Sequence, residues 1–312
     1  MRLYGRRALL AGAALTLAAT AAGGPACPRG STQARDEVEQ FLHLLAEEDA
    51  APHLLRPALD SVTSALPEQV RQRLAVAAGQ VCISEGDFLS YSLLEGLPFS
   101  ARLLSHYVPR CLAFCVPGGP GQNGLLGAGM LPALLPPSWR PSSGHKGLGF
   151  GLRPGLYLGA NPGLAVATLL DPGAEWLGPG IPPAAAGEYC LETARSPEAA
   201  LKVLAELRPA RSSRYLLCDP VAGGAMLVEV GLRPKVAPVE EPFMVVSSAG
   251  PSAEPNAERL RAGLAANVGW ITADKGLNLL RAALPGGFYV VLDLDAREGL
   301  LEQDGNRQSV RL

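Results

Sequence analysis

Apolar positions fall at helical spacing over the first hundred or so residues and alternate in a strand-like way after them. Residues 34–49 carry Val38, Phe41, Leu42 and Leu45 on one face, which predicts an amphipathic helix. A second helix is expected from Pro67-Glu68 to Gly79, and a third from Asp87, a suitable N-cap, with Phe88, Tyr91, Leu93 and Leu94. The pattern changes at Cys111. "CLAFCV" alternates, the turn-rich "PGGPGQNG" follows, and "LLGAGML" closes a hairpin. "SWRPSSGHKG" reads as a loop, and "GLYLGANPGLAVATLL" as two strands joined at Asn161-Pro162-Gly163. Ser196 as N-cap, Pro197 at the first helical position and Glu198 in the first turn mark the best-signposted helix. "SSRYLLCDPVAGGAMLVEV" then predicts strand, turn and strand, and "FMVVSS" another strand. Helices at about 256–268 and 272–284 and a closing strand, "GFYVVLDLD", complete the pattern. Hairpin pairs and helix pairs after a helical start imply an α+β fold, antiparallel sheets covered by helices.

Composition narrows the classes. With 312 residues the chain can bury a large core, and 48% hydrophobic with 18% charged residues excludes disorder. A net charge of −2 without a basic run gives no footprint for nucleic acid. The start, "MRLYGRRALLAGAALTLAATAAGGPAC", has Arg2, Arg6 and Arg7, an apolar stretch to about Ala22, and small residues after it. That is the layout of an export signal, and Arg6-Arg7 resembles a twin-arginine leader. Residues 1–27 are therefore expected to be a signal, 28–110 a helical propeptide-like segment and 111–312 the main domain. The expected location is periplasmic or extracellular, with a lipoprotein as a variant and the signal or a lipid on Cys27 as the only membrane link.

The six cysteines are Cys27, Cys82, Cys111, Cys115, Cys190 and Cys218, and without Cys27 an odd number is left, so at least one thiol is expected to be free in an oxidising compartment. No pair has CxxC spacing, and the four histidines form no HxxxH or HExxH pattern, so neither metal nor cofactor is expected. Cys111 and Cys115 share a strand face but sit ~13 Å apart, too far for a mutual disulfide. Cys115 reads as core, or as a partner of Cys190 or Cys218.

"RCLAFCVPGGPGQNGLLGAGM", "YLGANPGLAVATLL" and "GIPPAAAGEYCLETARSPEAALKVLAELRPARSSRYLLCDPVAGGAMLVEV" follow one another in an order that resembles the acyl-CoA:6-aminopenicillanate acyltransferase family, related to penicillin V acylase and the bile-salt hydrolases. "AAGQVCISEGDFLSYSLLEG" resembles the stretch ahead of the nucleophile. The resemblance covers about residues 75–250. It implies an N-terminal-nucleophile hydrolase, a four-layer αββα sandwich in which the chain cuts itself before a cysteine, here between Arg110 and Cys111. The freed α-amine, with an ordinary pKa of ~8, would take the thiol proton, so one residue supplies both nucleophile and base.

Three departures accompany the resemblance. Arg110 stands where the family has a small residue. Gly127-Ala128-Gly129-Met130-Leu131 replaces "GRNxD", whose Arg and Asp hold the substrate and orient the amine. Ser247-Ser248-Ala249 replaces a "TNH"-like segment that supplies an oxyanion Asn, and losing such a donor costs ~100- to 1000-fold in rate. Arg153, Asn161, Asn123 and Ser248 are the candidate substitutes for oxyanion or substrate contacts. Asp219 reads as a turn residue, and Arg214 with Glu229 as a cross-strand pair. Two functions follow: an exported amidase or acyltransferase acting on small acyl amides or thioesters, or a pseudoenzyme of the same fold serving as an envelope binding or structural protein. An unrelated lipoprotein with Cys111 in its core is a third, weaker alternative.

Overall fold

A computed structural model describes residues 32–47, 52–81, 85–99, 101–131, 137–141, 144–150, 153, 155–171, 173–248 and 255–312. The leader, Cys27 and Cys82 lie outside the described residues.

Among the described residues, five helices precede the first strand: α1 (Thr32–Glu47), α2 (Pro52–Ala65), α3 (Glu68–Val81), α4 (Glu85–Ser92) and α5 (Ala101–Tyr107), with a 3-10 turn at Leu94–Gly96. Phe41, Tyr91, Phe99 and Tyr107 interlock edge to face among them, with ring centroids 5.6 to 6.3 Å apart. The remainder folds as β1 (Cys111–Val116), β2 (Leu125–Met130), β3 (Pro137–Pro141), β4 (Lys146–Phe150), β5 (Leu158–Asn161), β6 (Leu164–Leu169), α6 (Pro183–Thr193), α7 (Pro197–Leu207), β7 (Ser213–Cys218), β8 (Ala225–Val230), β9 (Lys235–Pro238), β10 (Met244–Ser247), α8 (Pro255–Ala265), α9 (Ala273–Ala283), β11 (Phe288–Asp293), β12 (Glu298–Gln303) and β13 (Asn306–Arg311).

The strands form two antiparallel sheets, ordered β10-β1-β2-β11-β12-β13 and β3-β4-β5-β6-β7-β8-β9. Helices α8 and α9 cover the outer face of the first, α6 and α7 that of the second, and β1 and β2 face β6 between them. The layer order is thus αββα, as the resemblance implies. Part of "SWRPSSGHKG", expected as loop, is the edge strand β3, whose prolines disguise it because an edge tolerates missing donors.

All six residues of β1 are buried, and their alternation splits them between two cores. Leu112, Phe114 and Val116 pack under α8 and α9, whereas Cys111, Ala113 and Cys115 join the core between the sheets. Phe114 reaches across β2 only because its partner is Gly127: a Cβ there would lie 2.2 Å from the ring. Cys111, Cys115, Cys190 and Cys218 are free thiols. Cys115 and Cys218 meet across the two sheets, and the hydrogen bond with Cys115, then burial, holds the Cys218 thiol well above its ordinary pKa.

Arg211 is one of the side chains that fasten the helical segment to the sandwich. Arg211 donates from Nε to the carbonyl of Glu95 (3.1 Å) and from Nη2 to those of Leu97 and Phe99 (2.6 and 2.9 Å), while its Nη1 reaches Ala174 O (2.9 Å). Burial lowers the pKa of this guanidinium to about 10, against the pull of Glu95. Trp176 Nε1 adds a bond to Gly96 O (3.1 Å). Arg211→Ala is expected to cost about 2–3 kcal/mol, because buried carbonyls lose charge-assisted partners. Hydrogen exchange should then quicken at residues 95 to 99 well before the sheets open.

Candidate active site around Cys111

Cys111 opens β1 at the point where the helical segment meets the sheet. Its amide N–H donates to Ser248 Oγ (2.9 Å), and Ser248 N–H donates back to Cys111 O (2.8 Å). β10 makes this pairing unavoidable: Leu112 stands opposite Ser247, so Ser248 falls beside Cys111. On the other edge Cys111 faces Met130, and one step further out Leu131 N–H donates to the carbonyl of Arg110 (2.9 Å). Both partners of the Arg110–Cys111 peptide bond are therefore held, the carbonyl by β2 and the nitrogen by the end of β10. Arg110 itself is exposed, and the thiol donates weakly to Pro109 O (3.4 Å). Burial pushes the Cys111 thiol far above the ordinary thiol range, and the charge of Glu95 pushes it further.

That carboxylate arrives from the helical segment. Glu95, on the 3-10 turn, is only 4% exposed. Arg153 Nη1 donates to its Oε1 (3.3 Å), Tyr157 donates its hydroxyl to the same oxygen, and Ala184 N–H donates to Oε2 (3.2 Å). The last contact is a helix cap supplied from a distance. Pro182, the N-cap of α6, offers no side-chain acceptor, so the carboxylate of Glu95 takes a first-turn N–H that would otherwise be orphaned. Gly155 lets the pieces approach: its φ is +108°, and a Cβ there would lie 2.3 Å from Ala184 C.

Arg153 also donates from Nη2 to Tyr107 O (2.7 Å), four residues before Cys111. Burial opposes its charge, but Tyr157 and Glu95 outweigh that and hold its pKa up. Burial drives the Tyr157 hydroxyl upward, Glu95 adds to the rise, and the nearby Cys111 contributes.

Of the residues singled out by sequence, the structure brings Ser248 to Cys111 and joins Arg153 to Glu95 and to the carbonyl of Tyr107. Asn161 sits elsewhere: its Nδ2 closes α6 on Leu191 O and Ala194 O (2.7 and 2.8 Å), and its Oδ1 accepts Gly163 N–H. Asn123 is bound to both oxygens of Asp293. Asp219 accepts from Val221 and Ala222 N–H in a turn, and Arg214 pairs with Glu229 across β7 and β8 at 2.8 Å. Ala128 lies in the inner core between Ala113 and Val290. Glu95, Tyr157 and Arg211 escaped the sequence reading, since no local pattern links residues 58 or more positions apart that meet only in the fold.

Among the described residues, His145, Glu188 and Glu192 place donor atoms within 4.8 Å of one another, in a spacing suited to a cation. Glu192 follows Glu188 by one helical turn, and His145 Nε2 stands 3.6 Å from Glu188 Oε1. The expectation of no metal came from local spacing, which cannot see such a group. A cavity of about 160 Å³ lies nearby, lined by His145, Lys146, Asn161 and Arg297 among others, but by neither Cys111 nor Arg153.

No family model matches the chain, and no curated protein sequence does. Among solved structures it is similar to the Caenorhabditis elegans ortholog of N-acylethanolamine-hydrolyzing acid amidase, at 12% identity over 59% of this chain and 93% of that one, with a TM-score of 0.49. It is also similar to a mutant of the conjugated bile acid hydrolase from Clostridium perfringens, at 11% identity over 64% of this chain and 92% of that one, with a TM-score of 0.48. At these identities the likeness is one of fold alone.

Proposed function

We propose that the chain is a divergent cysteine hydrolase of the N-terminal-nucleophile kind, which cuts itself between Arg110 and Cys111 and then acts on amide or thioester bonds of small acyl compounds. The observation that carries this reading is the double grip on one peptide bond, with Leu131 N–H on the Arg110 carbonyl and Ser248 Oγ on the Cys111 nitrogen. In the cut, Cys111 Sγ attacks the carbonyl carbon of Arg110 while Leu131 N–H supports the charge growing on its oxygen. The peptide nitrogen leaves with the thiol proton, and water hydrolyses the resulting thioester. The products are a carboxylate on Arg110 and a Cys111 with free amine and thiol.

In turnover that amine takes the thiol proton, the thiolate attacks the acyl carbon, and the amine returns the proton to the leaving group. The acyl group then passes to water or to an acceptor amine. Ser248 orients the nitrogen in both stages. Ser248→Ala is expected to slow the cut by about tenfold to a hundredfold, since a buried donor left unpaired costs about 1–3 kcal/mol. The rate of fragment appearance on gels after refolding measures it.

Arg153 supplies the cation that Ala128 cannot. Before the cut, no α-amine exists and Glu95 disfavours the thiolate, so the whole chain is a latent form. The leader with Arg6-Arg7 supports export to a periplasmic or extracellular site, with Cys27 available for lipid.

A second reading, an inactive envelope protein of the same fold, is favoured by Ala128 and Leu131 standing where charged partners are expected and by the burial of the thiol, only 4% exposed. Product release from a panel of acyl amides and thioesters decides between them. Cys111-dependent release supports the enzyme, and its absence with every substrate supports the inactive form.

A further inference from the structure

Where α6 covers the second sheet lies a polar cluster that the reaction at Cys111 does not use. Glu188 and Glu192 stand one helical turn apart on α6, and His145 comes from the residue just before β4. One donor atom from each lies within 4.8 Å of the other two. Helix α6 packs on β5 and β6, so His145 is the sheet's contribution to a site otherwise built on one helix.

The imidazole is the group that points to a ligand. Its side chain is only 3% exposed, and Nε2 stands 3.6 Å from Glu188 Oε1, beyond hydrogen-bond length. No other polar contact of this side chain occurs among the described residues. Two ligands of one tetrahedral zinc ion, each about 2.0–2.1 Å from it, lie ~3.4 Å apart, so the pair is spaced for a shared ion. Gly155 N–H donates to Glu188 Oε2 (2.9 Å), which fixes the carboxylate with Oε1 toward His145. That is the supporting bond a ligating carboxylate needs. Arg140 acts on Glu188 as well, but its Nη1 donates to Arg153 O (2.7 Å) and its Nε to Ser138 Oγ (3.2 Å). The cavity beside His145 gives an ion a way in and room for the water that completes its shell.

We propose that His145, Glu188 and Glu192 bind one divalent transition-metal ion of the zinc kind, which ties the start of β4 to α6. One imidazole nitrogen and two carboxylate oxygens suit zinc, whereas magnesium and calcium take oxygen ligands and have no use for a buried imidazole. Neither Cys111 nor Arg153 lines the cavity at this site, so the ion braces the fold and stands apart from the reaction.

The test strips the whole chain of metal with a chelator and titrates it with zinc, magnesium and cobalt(II). Calorimetry should show one equivalent of zinc bound, with a saturable rise in Tm that magnesium does not produce. His145→Gln and Glu192→Gln should each weaken zinc binding by about tenfold or more and cancel that rise. Cobalt separates this site from the free thiols: a shell of nitrogen and oxygen gives visible bands without thiolate charge transfer in the near ultraviolet. A chain that binds no zinc, zinc binding unchanged in both variants, a stabilisation that magnesium matches, or a cobalt spectrum dominated by thiolate would each overturn the proposal. So would a stability loss in His145→Gln that is the same with and without zinc, which would mean a plain ion pair with Glu188. If His145→Gln does not fold, Glu192→Gln, at a partly exposed position, decides alone. None of these readouts involves the Arg110–Cys111 bond, so a negative result leaves the self-cutting reading to its own experiment.

Discussion

Arg153→Met is expected to lower the free energy of unfolding by about 3–5 kcal/mol, the largest stability loss foreseen for a single change in this chain. The substitution preserves much of the side-chain volume, so the loss is electrostatic. It leaves Glu95 buried with its cation gone, and the Tyr107 carbonyl loses the Nη2 donor now 2.7 Å away. A domain stable by about 5–15 kcal/mol would lose a large share of its margin. Urea denaturation of Arg153→Met, Glu95→Gln and the double variant checks the cause. The double variant should be more stable than the two losses added together, by about 1 kcal/mol or more, because neutralising Glu95 removes the charge that Arg153→Met strands. A single variant within about 1 kcal/mol of the parent would mean that the pair holds nothing together.

Cys111→Ala should act in the opposite manner, nearly silent in stability and total in chemistry. The thiol makes a weak 3.4 Å hydrogen bond to Pro109 O, so its removal is expected to cost about 1 kcal/mol. Turnover should fall by at least about a thousandfold, to background, because no other group takes over from a covalent nucleophile. Cys115→Ala, on the same face of the same strand, should leave turnover intact. A thiol-alkylating reagent adds a further check. In the uncut chain, burial and Glu95 keep Cys111 protonated, so alkylation should be slow; once the α-amine exists it should be fast. Equal alkylation before and after cutting would contradict the latent form.

Much of the fold was legible because it is written locally. Alternation set the face of Cys111 and Cys115, Ser196 and Pro197 placed α7, and Asn161-Pro162-Gly163 placed the β5–β6 turn. The missed elements have weak local signals for identifiable reasons. Helix α2 carries Pro57 inside it, and α6 opens on a run of three alanines with its first turns buried, which erases the amphipathic stripe. Strands β9 and β13 are mostly exposed edges and show no apolar alternation. The site was legible only at the residues that a strand register brings together. Leu112 opposite Ser247 gives Ser248 to Cys111, and both belong to recognisable strands. Glu95 was hidden because it sits on a short turn among leucines, with nothing to show that its partners are Arg153, Tyr157 and a helix end 89 residues away. Glu95 acts on the thiol and is bound to Arg153, and neither residue comes from the hairpin where the resemblance places an Arg and a carboxylate.

The proposed function turns on one bond, and intact-mass measurement of the purified protein tests it most directly, with the Cys111→Ala chain as control. Two fragments meeting between Arg110 and Cys111 in the parent, held together in native solution by Arg211, and a single chain in the variant, are what the geometry predicts. A parent chain that stays whole under every folding condition would contradict it, leaving Cys111 a buried thiol at the head of a strand.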